Sequence, residues 1–145
     1  MAALFDSNIW IFLLFDQHVF HKPTRDCFER FTNRNCVFFN RETQKSFLRL
    51  VTTASITKGF GCDPLTNSQA WQYYHHFLQD DRISYTEEPP ELCQHWELMS
   101  SRESASPKVW MDAYLAAFAK VANLQFVTAD AGFQQFPDLD LLLVR

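Results

Sequence analysis

KVWMDAYLAAFAKVANLQFVTADAGF, residues 108–133, places two carboxylates where an α/β fold carries both to one end of a sheet. Val109, Tyr114, Leu115, Phe118, Ala119 and Ala122 recur at helical spacing. Small Ala116, Ala117 and Ala119 let a helix over residues 108–122 approach a sheet closely. Asp112 falls in its first turn. LQFVTA then reads as a short buried strand, and Asp130 comes at its end, before the Ala131-Gly132 turn. A helix that returns the chain across a parallel sheet starts near the carboxyl ends of the strands, so Asp112 and Asp130 are expected to face one crevice.

Outward from that stretch the chain alternates strands and helices. Ala2–Phe5 is a short apolar strand, followed by Asp6-Ser7-Asn8 as turn and helix cap before IWIFLLF. His21–Phe31 reads as an amphipathic helix with Cys27, Phe28 and Phe31 on one face. Cys36–Phe39 is a buried strand leading through Asn40-Arg41-Glu42-Thr43 into a helix with Phe47, Leu48, Leu50 and Val51 inward. Residues 53–66, with Gly59, Gly61 and Pro64, are the most loop-like part. Thr66 or Asn67 caps a helix through Trp71, Tyr74, Phe77 and Leu78. Arg82–Tyr85 is a weaker strand, Pro89-Pro90 opens a helix through Leu92, Trp96 and Leu98, and Leu139–Val144 is a final strand. This alternation predicts a three-layer α/β/α domain around a mainly parallel sheet.

At 145 residues the chain is expected to form one domain, spanning 1–145, that buries roughly 68–70% of its unfolded surface. Fifteen Phe against three Gly argue for a dense core and against disorder. No apolar run approaches the about 20 residues of a membrane span, and the N-terminal stretch lacks a basic region, so a cytoplasmic address is the default. Cys27, Cys36, Cys62 and Cys93 form no C-x-x-C pair and read as reduced packing residues. A net charge of −4 excludes a basic surface spread over the whole molecule, so nucleic-acid binding requires a local patch.

Asp6, Glu42, Asp112 and Asp130 thus all stand just beyond strands. Gathered uncompensated at one edge, they would repel and raise one another's pKa, which calls for a cation. Carboxylate oxygens without His or Cys are hard ligands that select Mg²⁺ or Mn²⁺, and the natural chemistry of such an ion is phosphodiester hydrolysis. Taken singly, each acid has a plainer explanation: Asp6 as a helix cap, Asp112 and Glu42 as first-turn acids, Asp130 as a turn residue.

DSNIW after the first strand, the ETQKSFLRLVT helix, MDAYLAAFA and VTADAGFQQF resemble, in this order, the motifs of PIN domains, most of all VapC-type toxin ribonucleases. The resemblance covers nearly the whole chain. It implies a Mg²⁺- or Mn²⁺-dependent endoribonuclease acting on structured RNA such as transfer RNA. It also implies a cognate antitoxin whose tail crosses the active-site groove, and a homodimer, for which the aromatic-bearing helices near residues 21–31 and 66–80 are candidate surfaces. On this resemblance Asp6, Asp112 and Asp130 match the family's aspartates. Many relatives carry the fourth acid two residues after Glu42, where this chain has Gln44; either Glu42 replaces it or the site is three aspartates with an amide. Asp6 and Asp112 would hold the principal ion, and Glu42 and Asp130 a second ion or the attacking water, with Ser7, Asn8 and Thr128 orienting them.

Other residues read as support. Asp138 and Asp140 are turn or surface acids, with Asp140 the nearer substitute if a further acid is needed. His18 and His21 read as polar surface, and adjacent His75 and His76 cannot share a ligand on a helix. Arg41, Lys45, Arg49 and Lys108 are the basic residues nearest the pocket, while Trp71, Tyr73, Tyr74 and Trp96 read as helical packing rather than base-stacking groups. Two other functions stay open: a PIN-fold RNA-binding module that lost turnover, and an RNA-processing nuclease without an antitoxin.

Overall fold

The computed structural model describes all of residues 1–145. Five strands form one parallel sheet: β1 Ala3–Phe5, β2 Val37–Phe39, β3 Ile83–Tyr85, β4 Gln125–Thr128 and β5 Leu141–Leu143. Their order is β3-β2-β1-β4-β5. Seven helices connect them: α1 Ser7–Leu14, α2 His21–Phe28, α3 Arg41–Val51, α4 Ala54–Thr57, α5 Asn67–Leu78, α6 Leu92–Ser100 and α7 Val109–Val121.

Strand residues alternate between the two sheet faces. Ala3, Phe5, Val37, Phe39 and Val127 join a cluster with α1, α2, α3 and α5 that holds Trp10, Phe28, Phe31, Phe47 and Tyr74. Leu4 and Phe126 join the other cluster, where α7 contributes Ala113, Ala116, Ala117 and Ala119. The three layers follow from that alternation. The aromatic side is filled by stacked and edge-on rings, Trp10 lying on Phe39 with centroids 3.9 Å apart. The alanine side keeps α7 close to the sheet, which draws its first turn toward the strand ends.

Residues 53–66 are more ordered than the sequence predicts. The Thr53 carbonyl accepts from the Ile56 and Thr57 amides, which starts the single turn of α4. A 3₁₀ turn over Lys58–Phe60 follows and ends at Gly61, whose φ of 72° suits glycine. Phe60 fastens the segment by stacking on Phe15 at 5.0 Å and meeting the His18 edge. His18 also stacks on Phe12, and His21 Nδ1 meets the Phe12 carbonyl at 2.7 Å. The two histidines therefore stitch the turn between α1 and α2 rather than forming polar surface. All four cysteines are free, but only Cys27 and Cys36 pack in the core; Cys62 and Cys93 are exposed. The last strand is shorter than Leu139–Val144, pairing with β4 over Leu141–Leu143.

Candidate active site

All five strands are parallel, so the residues that follow them gather at one end of the sheet. Asp6 comes directly after β1, and its amide donates to the Val127 carbonyl of β4 at 2.9 Å. Its carboxylate caps α1 by accepting from the Ser7 amide at 2.7 Å through Oδ1. Oδ2 accepts from the Thr128 hydroxyl at the end of β4, also at 2.7 Å. The capping explanation of Asp6 is thus true as local structure, and it leaves further lone pairs on the carboxylate.

Thr128 is the joint of the site. Beyond donating to Asp6, its Oγ1 accepts from Asn8 Nδ2 at 3.3 Å and from the Asp130 amide at 3.1 Å. Asn8 Oδ1 accepts from the Ala129 amide at 3.3 Å. Asp130 caps a short 3₁₀ helix, Ala131–Gln135, with Oδ1 accepting from the Gly132 amide at 2.8 Å. A Cβ at Gly132 would stand 3.0 Å from that oxygen, so glycine allows the carboxylate to lie over the backbone. Asp112 is half-buried in the first turn of α7.

The charges of Asp112 and Asp130 act on Asp6, and that of Asp130 on Asp112. Asp6 is 8% exposed, and burial pushes its carboxyl up to about 6; the Thr128 and Ser7 hydrogen bonds oppose that rise, while the charges of Asp112 and Asp130 add to it. Burial also raises the Asp112 carboxyl, with the charge of Asp130 as the second cause. None of the three forms a salt bridge.

Glu42 stands at the start of α3. Its charge acts on Tyr114, which burial and the Glu88 carboxylate, hydrogen-bonded at 2.8 Å, push upward, and it is not among the charges felt by Asp6 or Asp112. The start of α3 is fixed locally: Asn40 is the cap, and its side chain and that of Thr43 close a reciprocal box. Glu42 therefore lies half-buried in the first turn of α3, two residues before Gln44. Gln44 is buried, with its Oε1 accepting from Arg41, whose guanidinium also lies over the Tyr85 ring at 4.8 Å.

No three His, Cys, Asp or Glu side chains close around a single ion position. The donor set nevertheless fits a hard cation. Mg²⁺ commonly keeps several waters and takes only one or two carboxylates directly. Asp6, Asp112 and Asp130 would be the residues to hold such an ion, and the charges of Asp112 and Asp130 acting on buried Asp6 give the site a reason to bind one.

Among the other predicted residues, Arg49 lines a separate cleft with Trp71 between α3 and α5. Lys45 and Lys108 are exposed and without ion pairs. Tyr74 is core, as expected, whereas Trp71 and Tyr73 are 46% and 41% exposed. Asp138 pairs with Lys120 at 3.7 Å, and Asp140 accepts from Gln125 at 3.2 Å, so both are surface acids. The sequence reading passed over Trp110, exposed two residues before Asp112; its place outside the apolar stripe of α7 was the available signal.

Residues 3–139 match the PIN domain family. Over 142 residues, 97% of each chain, the sequence is 42% identical to Ribonuclease VapC41 of Mycobacterium tuberculosis, in both the CDC 1551 / Oshkosh and the ATCC 25618 / H37Rv strains. The fold is similar to VapBC2 from Rickettsia felis bound to a promoter DNA fragment, with a TM-score of 0.70, 14% identity and 100% of each chain covered. It is also similar to VapBC-1 from nontypeable Haemophilus influenzae, with a TM-score of 0.65, 16% identity and coverage of 99% of this chain and 98% of that one. At such identities the solved structures speak for the fold alone. Profile, sequence relative and topology agree, and the chain belongs to the PIN-domain family.

Proposed function

We propose that the protein is a divalent-metal-dependent endoribonuclease, the toxin of a toxin–antitoxin pair. The carrying observation is the buried, unpaired Asp6 beside Asp112 and Asp130, in a chain 42% identical to a VapC ribonuclease. PIN-domain ribonucleases in general depend on a divalent metal.

Asp6 and Asp112 would hold the ion, with Asp130 reaching it through water; Mg²⁺ and Mn²⁺ suit these oxygens. Bound there, the cation would polarise a phosphoryl oxygen and offset the charge of an in-line displacement. The chain supplies positioning. Thr128 fixes Asp6 Oδ2 by donating its hydroxyl proton, and the Ser7 amide fixes Oδ1, so the carboxylate cannot rotate away. Asp130, tied to the Gly132 amide by one oxygen, keeps the other to accept a proton from an attacking water. Glu42, half-buried at the start of α3, would join Asp130 in holding a second ion or positioning the water, while Gln44 stands buried two residues later at the family's usual position of the acid.

The substrate on this reading is RNA, and the partner an antitoxin like those in the VapBC complexes that share the fold. A homodimer would use α5, whose Trp71 and Tyr73 are exposed, better than α2, whose Phe28 is buried and whose outer face carries the Lys22–Asp26 and Arg25–Glu29 pairs. No helix is long and apolar enough to cross a membrane, and the proposed site of action is the cytoplasm.

The test is cleavage of an RNA panel by purified protein with Mg²⁺ or Mn²⁺ and with EDTA, alongside Asp6→Asn and Asp112→Asn. Cleavage that EDTA and either substitution abolish is expected. Equal cleavage by the wild type and both variants would assign the activity to a contaminant.

A further inference from the structure

The segment between α6 and α7 forms a cleft of about 480 Å³ whose lining includes Arg102, Ser104, Ser106, Pro107 and Trp110. Trp110 is 55% exposed and contributes little to the core. Its place is nonetheless fixed. The Trp96 ring packs edge-on against it with centroids 6.5 Å apart, and the Trp96 indole N–H donates to the Trp110 carbonyl at 2.9 Å.

Two connections join this cleft to the acids. Trp110 shares the first turn of α7 with Asp112 but lies about 200° from it around the helix axis, so the cleft flanks the acids rather than opening onto them. Across the cleft, Arg102 Nη2 donates to Gln135 Oε1 at 2.8 Å, and Gln135 ends the short helix that Asp130 caps. The cleft thus includes the start of α7, which carries Asp112, and is tied through Arg102 to the short helix that Asp130 caps.

We propose that the cleft is a nucleotide subsite for an unpaired base of the RNA that flanks the cleavage site, an inference that rests on the ribonuclease reading. The base stacks on the Trp110 indole, and Arg102 meets a phosphate. A tryptophan face accepts any base because every base presents a π-surface. Arg102 has five N–H donors and forms no ion pair, so donors remain for a phosphate after the bond to Gln135. Ser104 and Ser106 hydroxyls lie 3.1 Å apart and keep lone pairs for a ribose 2′-hydroxyl. Charge agrees: residues 101–110 carry Arg102 and Lys108 against Glu103 alone, in a chain of net charge −4. An arginine, hydroxyls and one fixed indole suit a nucleotide, whereas a protein helix would ask for a longer apolar groove.

The test is titration of a labelled single-stranded oligoribonucleotide in EDTA, where cleavage is suppressed, with wild type, Trp110→Ala, Trp110→Phe and Arg102→Gln. Trp110→Ala is expected to weaken binding about tenfold, the loss of one base stack, with Trp110→Phe close to wild type. Arg102→Gln is expected to flatten the dependence of log affinity on log salt by about 0.7, one phosphate contact. In cleavage assays Trp110→Ala should raise KM and leave kcat in place, and urea midpoints should stay near that of the wild type because the side chain is exposed. No RNA binding by the wild type, equal affinities of wild type and Trp110→Ala, or a defect confined to a protein partner would each overturn the subsite. EDTA-sensitive cleavage with an unchanged KM in Trp110→Ala would remove the subsite and keep the ribonuclease; no cleavage by any form would remove the ribonuclease itself.

Discussion

Two groups of acidic side chains sit at opposite ends of one parallel sheet, and the chain treats them in opposite ways. At the amino end, Arg82 precedes β3 and binds Asp80 through Nη2 at 2.8 Å and through Nε at 3.0 Å, while Nη1 reaches Glu29 at 3.3 Å. The same guanidinium lies over the Phe28 ring at 4.0 Å. At the carboxyl end, the charges of Asp112 and Asp130 act on Asp6, and that of Asp130 on Asp112, with no cation from the chain. At the amino end the chain itself supplies the counter-charge. A buried carboxylate without a counter-charge costs stability, and on the proposed function a cation from solution completes the set.

The largest expected contrast is in activity. Asp6→Asn or Asp112→Asn should lower cleavage by on the order of a hundredfold or more, since losing even an outer partner of a metal ligand costs about 10–100-fold. Asp80→Asn should leave the specific activity of folded protein unchanged, and initial-rate assays at saturating metal will show whether the two ends separate in this way.

Stability should move in the other direction. The Asp6 carboxyl, at about 6 folded against 3.8 ordinarily, binds its proton more tightly in the folded chain. Its influence on stability is therefore most favourable below about pH 4 and declines as pH rises to about 6. Metal-free Asp6→Asn should be more stable than wild type at pH 7 by on the order of 1–2 kcal/mol, after a discount for the acceptor lost to Thr128, and the gain should vanish near pH 4. Asp80 behaves oppositely. Its hydrogen bonds from Arg82 hold it below the usual carboxylate range, so its stabilisation is present at neutral pH and is lost as pH falls. Asp80→Asn should cost roughly 0.5–1 kcal/mol at pH 7, the pair being partly exposed, and less in acid. Urea unfolding of the three proteins between pH 4 and 8 checks both signs.

The smallest effect expected is at Gly132. A methyl group there crowds Asp130 Oδ1, and Gly132→Ala should reduce cleavage by a few fold with little change in stability, as read by parallel rate and thermal-melt measurements.

Much of this contrast was legible in the sequence. The apolar runs of β1, β2 and β4, the alanine-rich α7 and the acids just beyond strand ends follow from local patterning, and parallel topology then carries Asp6, Asp112 and Asp130 to one end. What stayed hidden depends on pairings distant along the chain. The Asn40–Thr43 box fixes where α3 starts, and with it the place of Glu42, which local patterning alone does not distinguish from a shifted helix start. Arg82 looked like the start of a weak strand; only the fold brings it to Glu29, 53 residues away. The order within residues 53–66 comes from Phe60 meeting Phe15 and His18, a contact that no local periodicity encodes. Trp110 was overlooked for the reverse reason, since a side chain that leaves the apolar stripe gives no packing signal.

The most direct measurement is a calorimetric titration of metal-free protein with Mn²⁺ at pH 7.5, for wild type, Asp6→Asn, Asp112→Asn and Asp80→Asn. We expect saturable binding by the wild type and Asp80→Asn, and its loss in the other two. Isotherms that coincide for all four proteins would contradict the claim that the unpaired acids at the carboxyl end of the sheet form a cation site.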